Sequence, residues 1–125
     1  MTSMVVDLEL RLLPAQAAGA LAATLVVPPA HPLLAGHFPG APLVAGVQLL
    51  EAACRVASAT TGQSFAIVAV DDVRWFQPVA PGAEVGLAAA LRADGSAFAC
   101  EGEWSGPAGR VAAFRMRLQA APSRP

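Results

Sequence analysis

Apolar and polar residues alternate near the start of the chain. The segment MVVDLELRLLP, residues 4–14, has this period of two, which predicts a half-buried strand that ends at Pro14. GALAATLVVPP, residues 19–29, predicts a second strand, and its two closing prolines lack the N–H that a β-ladder needs. Residues 31–45 hold three prolines and two glycines and predict a loop.

The next segment has the spacing of a helix. In GVQLLEAACRVASATTG, residues 46–62, apolar residues recur every three or four positions and occupy nearly every side. A helix that is apolar all round is expected to be surrounded by protein. Gly62 is a plausible C-terminal end.

The second half of the chain is strand-like. We expect strands over residues 65–79, 84–91, 97–104 and 110–118, joined by the turn signals PG at 81–82, DG at 94–95 and GPAG at 106–109. The ADGS segment gives the strongest hairpin signal in the chain.

This order of elements predicts a single α+β domain over residues 1–125, with an antiparallel sheet and one buried helix. One curved sheet encloses a helix on one side only. A second copy of the chain would cover the other side, so a dimer is expected.

The composition agrees with an oligomer. Hydrophobic residues make up 55% of the chain and charged residues 14%, which is more apolar than an average soluble domain. The net charge of -1 argues against bulk nucleic-acid binding. No apolar stretch approaches the length of about 18 residues that spans a bilayer, and Asp7 and Glu9 stand where a signal peptide needs basic residues. We therefore expect a cytoplasmic protein with no membrane span.

The two cysteines indicate neither a metal site nor a disulfide. Cys54 and Cys100 are too few and too far apart in sequence for a zinc site, and cytosolic cysteines are usually reduced. We expect both to be small buried hydrophobic residues.

Candidate chemistry lies in GHFPGAPLVAGVQLLE, residues 36–51. His37 lies in a Gly/Pro-rich loop, Gly46 places free N–H groups at the start of the helix, and Glu51 lies in its second turn. An imidazole, a carboxyl expected to be buried and an oxyanion site together suit proton abstraction beside a carbonyl. A loop histidine is often only solvated, and a helical glutamate often only faces water. Spacing alone leaves both interpretations open.

Two blocks of sequence resemble a known family. HFPGAPLVAGVQLLE, residues 37–51, closely resembles the signature HFPGxPxxPGVxxxE of the β-hydroxyacyl-acyl carrier protein dehydratases of type II fatty acid synthesis. VRWFQPVAPG, residues 73–82, resembles the RFxxPVxPGD strand and turn of that family. The resemblance covers roughly residues 31–91.

The resemblance implies a hot-dog fold, in which an antiparallel sheet wraps a central helix. It also implies a homodimer with two sites at its interface, with further assembly into a trimer of dimers open. In such enzymes the histidine of one subunit faces the acidic residue of the other. The reaction implied is dehydration of a 3-hydroxyacyl-acyl carrier protein to the trans-2-enoyl product, without a metal or organic cofactor.

Roles follow residue by residue from the resemblance. His37 would take the C2 proton, the amide of Gly46 or Val47 would hold the thioester oxygen, and Glu51 would protonate or orient the departing hydroxyl. His31 has no matched role. The expected substrate tunnel is lined by Phe38, Pro39, Leu43, Val44, Trp75 and Phe76. An acyl carrier protein, which presents its acyl chain on phosphopantetheine, is the expected partner, and the candidate basic contacts are Arg74, Arg110, Arg115 and Arg117.

Three positions depart from the family pattern. Ala45 replaces the proline of PGV, and Ala83 replaces the aspartate after Pro81-Gly82. Arg55 stands four residues after Glu51, where the family commonly has glutamine. On a helix this spacing places a guanidinium beside the carboxylate, which would favour its ionised form and oppose its role as an acid. If Arg55 points to solvent or to a carrier's phosphate, that objection is removed.

Two other functions stay open at this point. A hot-dog thioesterase would use the carboxylate as base or nucleophile toward the same thioester. A non-catalytic accessory subunit that binds acyl carriers is the second alternative, indicated by Arg55 and Ala45. The acyl chain length and the pathway served are left undetermined by the sequence.

Overall fold

The computed structural model describes residues 9–14, 17–26, 46–77, 79 and 82–121. Its elements are β1 (Glu9–Leu12), β2 (Ala20–Val26), α1 (Gly46–Thr61), β3 (Phe65–Trp75), β4 (Glu84–Asp94), β5 (Ala97–Gly106) and β6 (Gly109–Ala120). The predicted α+β order is confirmed. In the described residues no helix combines the length and the apolar character needed to cross a membrane.

The six strands form one antiparallel sheet in the order β1-β2-β4-β5-β6-β3. The predicted DG hairpin joins β4 to β5, with Asp94 opposite Ala97 and a positive φ of 64° at Gly95. Such a φ strains most side chains, and glycine adopts it freely. A second hairpin joins β5 to β6 at the GPAG segment, where Gly109 has a φ of 118°. The two turn signals therefore set the centre of the sheet.

Strand β3 ends earlier than predicted. The sequence indicates a strand over 65–79, but pairing with β6 stops at Trp75. The chain then leaves the ladder while staying attached to β6, because the Phe76 N–H donates to the Val111 carbonyl at 2.8 Å. Gln77 Nε2 donates to the Arg110 carbonyl at 2.8 Å. The pattern of apolar residues could not predict that the strand ends at Trp75, because hydrogen bonds between Phe76, Gln77 and β6 set this end.

Helix α1 packs against the inner face of the sheet and forms the core with it. The largest fully buried side chains come from the helix and from three strands: Leu25, Leu49, Val56, Cys100, Trp104, Met116 and Leu118. The sequence predicted a helix buried on every side, but the observed helix is exposed along one side. Positions 51, 55 and 59 form a narrow exposed stripe at i, i+4 spacing, and this stripe holds both charged residues of the helix.

Irregular pairing and one close approach shape the sheet around the helix. The β3–β6 register shifts between Ile67 and Ala69 and again between Val70 and Asp72, and the β5–β6 register shifts at Trp104. Such bulges bend a strand and increase its twist. At Gly102 on β5, an added Cβ would fall inside the contact distance of the Ala88 carbonyl and the Ala89 Cβ on β4. Only glycine fits between these two strands.

We predict that Gly102→Ala destabilises the fold by about 1–3 kcal/mol, because the new methyl group meets backbone that must shift. Gly86→Ala is the matched control, since its Cβ would lie at an ordinary 3.8 Å from the Ala23 carbonyl. Urea unfolding of both variants measures the difference. Equal stability of the two would show that the strands at Gly102 move apart easily.

Candidate active site

Glu51 projects from the exposed stripe of α1 into a cleft beside strand β3. The cleft has a volume of about 320 Å³ and is lined by Glu51, Cys54, Arg55, Phe65, Ala66 and Ile67. The sequence predicted a buried carboxylate, and in this chain Glu51 is exposed. The reason is its place in the stripe, where the sheet of the same chain does not reach. The cleft combines one carboxylate and one cation with apolar walls.

Hydrogen bonds from α1 fix the apolar wall of this cleft. The Ser58 hydroxyl accepts from the Phe65 N–H at 3.0 Å and donates to the Cys54 carbonyl at 3.1 Å. The Cys54 Sγ donates to the Phe65 carbonyl at 3.5 Å. Both backbone groups of Phe65 are therefore bound to the helix. The ring of Phe65 meets Phe98 edge to face, with centroids 5.0 Å apart.

The first turns of α1 are also held from the sheet. Trp104 on β5 is fully buried, and its Nε1–H donates to the Leu49 carbonyl at 3.0 Å. A buried indole N–H needs such an acceptor, because leaving it unpaired costs roughly 1–3 kcal/mol. This bond fixes the position of the helix relative to the sheet at Leu49, two residues before Glu51.

The Cys54 thiol lies close to Glu51. Burial, and next the charge of Glu51, raise the pKa of Cys54 from its ordinary value of 9.0 to about 11. Burial is also the main cause that raises the pKa of Cys100, to about 12. Both cysteines are free and buried, as the sequence predicted. They are neutral thiols at physiological pH.

Arg55 does not pair with Glu51, although the i, i+4 spacing predicted that the two groups would lie together. The ion pairs in the described part of the chain are Arg74–Asp72, Arg110–Glu103 and Arg117–Asp71. Arg55 is exposed and lines both the Glu51 cleft and a second cavity toward the end of the helix. The guanidinium is therefore available to another anion.

Several predicted site residues lie outside the described residues. These are His37, Phe38, Pro39, Leu43 and Val44, and their roles stay predictions. Gly46, predicted to open the helix and supply an oxyanion site with Val47, is the first residue of α1. The role of the first-turn N–H groups as an oxyanion site stays a prediction.

Trp75 and Phe76 do not lie in the Glu51 cleft of the same chain. Phe65 and Trp75 are the two ends of β3, an 11-residue strand, and so are roughly 33 Å apart. Phe76 instead lines a cavity of about 710 Å³ with several charged residues. The Arg110 guanidinium lies 4.4 Å from the centre of the Phe76 ring, within cation–π range.

The four arginines predicted to bind a carrier share an exposed region of β3 and β6, but carboxylates accompany them. Arg74, Arg110 and Arg117 are ion-paired at 3.7, 3.7 and 3.2 Å. Arg115 lies between Asp72 of β3 and Glu101 of β5 in the strand register. Charges of opposite sign alternate across these strands, so this surface is mixed rather than basic.

Sequence reasoning missed four residues of the Glu51 cleft: Cys54, Phe65, Ala66 and Ile67. Cys54 follows Glu51 by three positions, and that helical spacing was a usable signal. Phe65 and Ile67 line the cleft because β3 packs on α1. Contacts of this kind cannot be recognised from neighbouring residues in the sequence. Within the described ranges, no group of three or more His, Cys, Asp and Glu side chains is placed to hold a metal ion.

Solved structures share this architecture. The dehydratase heterocomplex ApeI:P from Xenorhabdus doucetiae matches with a TM-score of 0.72 and 17% identity, over 85% of this chain and 92% of that one. The PaaI protein of the phenylacetic acid degradation operon from E. coli matches with a TM-score of 0.67 and 20% identity, over 88% and 82%. A hypothetical thioesterase with coenzyme A from Streptococcus pneumoniae gives 0.69 and 7%, over 94% and 89%. These similarities establish the hot-dog fold.

The sequence supplies the more specific assignment. Residues 14–106 match the ApeI-like family, described as ApeI dehydratase. The chain belongs to the ApeI-like family, a dehydratase family by that description.

We predict that stability falls as pH rises from about 9 toward 11, because both thiols have raised pKa values in the folded state. The unfolded chain loses these protons near pH 9, whereas the folded chain holds them, so the stabilisation is present below pH 9 and is lost above it. The chain has no tyrosine and no lysine, so no other side chain titrates in this window.

Urea unfolding in reductant across this pH range measures the effect. Cys54→Ala should flatten the slope. Glu51→Gln should flatten it less, since it removes only the second of the two causes. A slope unchanged in Cys54→Ala would contradict the assignment.

Proposed function

We propose that the protein dehydrates 3-hydroxyacyl thioesters carried by an acyl carrier protein to trans-2-enoyl thioesters. The observation that carries the proposal is Glu51, a carboxylate without an ion pair to another described residue, on an exposed stripe of a largely buried helix and beside a cleft with apolar walls. Membership of a dehydratase family supports the same reaction. An acyl chain can lie in such a cleft while a carboxyl group meets its 3-hydroxyl.

In the proposed reaction the first turn of α1 holds the thioester oxygen. Its N–H groups and the positive end of the helix dipole stabilise the negative charge that builds as C2 loses a proton. His37 takes that proton, and Glu51 delivers a proton to the departing hydroxyl. The C2–H and C3–O bonds break, a C2–C3 double bond forms and water leaves.

A second copy of the chain would complete this site. Strand β3 lies at one edge of the sheet, and Val68 and Val70 on it are 53% and 45% exposed. Such an edge is open to pairing with another strand. If two antiparallel β3 strands overlap along their whole length, the two-fold axis passes near Val70. Trp75 of the second copy then lies opposite Phe65, at the Glu51 cleft, which supports its predicted place in the substrate tunnel.

The mixed charge of the β3–β6 surface bears on the proposed carrier contact. An acidic carrier would have to compete with Asp71, Asp72 and Glu103 for the arginines already paired with them. Arg115 has no ion pair with another described residue, so it is the arginine of this group most available to a carrier.

His37→Ala and Glu51→Gln should each lower kcat/KM by at least about a hundredfold, the scale of a lost acid or base. Hydration of a crotonyl thioester, followed by the loss of enoyl absorbance, measures the effect. His31→Ala and Glu84→Gln are matched controls that should keep the rate of the wild type.

Free thiol should not appear in this assay. Release of free thiol from the thioester would favour a thioesterase. Activity only after addition of a paralogous subunit would favour the accessory subunit. Full activity of His37→Ala would contradict the proposed mechanism.

Val70→Arg should dissociate the proposed homodimer, because it places two like charges near the two-fold axis and removes apolar contact. Light scattering of the purified protein measures the mass. Ala93→Arg, also exposed but on β4, is the control and should stay dimeric. A dimer that persists in Val70→Arg would place the interface elsewhere.

A further inference from the structure

A second cavity lies beyond the Glu51 cleft, toward the end of α1. It has a volume of about 500 Å³, and its walls include Arg55, Ser58, Gln63, Ser64 and Phe65. Arg55 separates this cavity from the Glu51 cleft, since it lines both. No acidic residue contributes to the described walls of the second cavity.

This absence of carboxylates distinguishes the second cavity from the arginine-rich β3–β6 surface. The cavity there that contains Arg74, Arg110 and Arg115 also contains Asp72 and Glu101. A smaller one with Arg92 and Arg117 contains Asp71, Asp94 and Glu101. Arg55 has no ion pair with another described residue, and the carboxylate that shares a cavity with it, Glu51, lines the first cleft and not the second.

The Gln63 amide and the Ser64 hydroxyl, which line the cavity with Arg55, can each donate a hydrogen bond. Neither the Gln63 side-chain amide nor the Ser64 hydroxyl bonds to another described residue, and the Gln63 backbone N–H is bound to the Thr61 hydroxyl at 3.2 Å. Ser58 is occupied in holding Phe65 to the helix, which fixes one wall. A guanidinium with an amide and a hydroxyl nearby suits a carboxylate or a phosphate, both of which accept paired hydrogen bonds from arginine.

We propose that the second cavity is an anion-binding subsite in which Arg55 binds an acidic group of the thioester substrate. The proposal rests on the proposed function for the identity of that substrate. Arg55 follows Glu51 by one helical turn, a rise of about 6 Å between their Cα atoms, so the acidic group lies beyond Glu51 in the direction of the end of α1. Two parts of a substrate supply such an anion: a carboxylate at the far end of the acyl chain, or the phosphate of the carrier arm.

Four substrates separate these sources. We would assay 3-hydroxyoctanoyl and 3-hydroxysuberoyl thioesters, equal in length but ending in methyl or carboxylate, each on phosphopantetheine and on N-acetylcysteamine. Arg55→Gln is compared with Arg92→Gln, which changes an exposed arginine on β4. We expect Arg55→Gln to raise KM at least about tenfold for the substrates with the recognised anion, with little change in kcat.

The pattern of loss identifies the ligand. A raised KM of Arg55→Gln for the 3-hydroxysuberoyl thioesters of both phosphopantetheine and N-acetylcysteamine supports a carboxylate subsite. A raised KM of Arg55→Gln for the phosphopantetheine thioesters of both acyl chains, whether they end in methyl or in carboxylate, supports a phosphate subsite. Equal KM values for Arg55→Gln and Arg92→Gln on all four substrates would overturn the proposal.

A binding measurement keeps this proposal separate from the proposed function. Calorimetry of octanoyl and suberoyl thioesters, which lack the 3-hydroxyl, tests recognition without reaction. If no substrate is dehydrated but Arg55→Gln weakens binding of an anionic thioester at least about tenfold, the proposed function fails and the subsite stands. If dehydration occurs and neither KM nor binding depends on Arg55, the subsite fails alone.

Discussion

The burial of α1 against the sheet is the constraint on which the rest of this structure depends. A helix this apolar is stable only when nearly all of its circumference is removed from water. The sheet covers all but one stripe, and the two charges of the helix lie in that stripe because they are too costly to bury unpaired. The position of the candidate site is therefore a consequence of packing, because Glu51 and Arg55 lie on the side of the helix that the sheet does not cover.

The hydrogen bonds around this helix keep the stripe and the wall beside it in register. Trp104 holds the first turns of α1, and Ser58 and Cys54 hold both backbone groups of Phe65. A carboxylate on a rigid helix and an apolar wall attached to the same helix cannot drift apart, which suits a site that must position a substrate closely. The outer β3–β6 surface is organised differently, because its arginines are compensated locally by carboxylates.

Local chemistry was enough to predict much of the fold. Gly95 after an aspartate indicated the β4–β5 hairpin, and the apolar run from Gly46 indicated the helix within one residue of its observed end. The end of β3 was predicted four residues too late, because hydrogen bonds from Phe76 and Gln77 to β6 decide it. Helical spacing left open whether Arg55 pairs with Glu51 or points elsewhere. In the structure the two side chains line the same cleft without forming an ion pair.

The sequence by itself determined the order of the elements, the two glycine turns, the family and the residues able to do the proposed chemistry. These depend on neighbours along the chain, whose geometry is set by backbone sterics and by the helical and strand periods. Only the tertiary structure decided that Phe65 and Ile67 wall the Glu51 cleft and that Phe76 lies with Arg110. It also decided that Arg55 has no ion pair with another described residue, while Arg74 and Arg117 each have one. Those contacts join residues from different elements, and the packing of the sheet on the helix sets which of them meet.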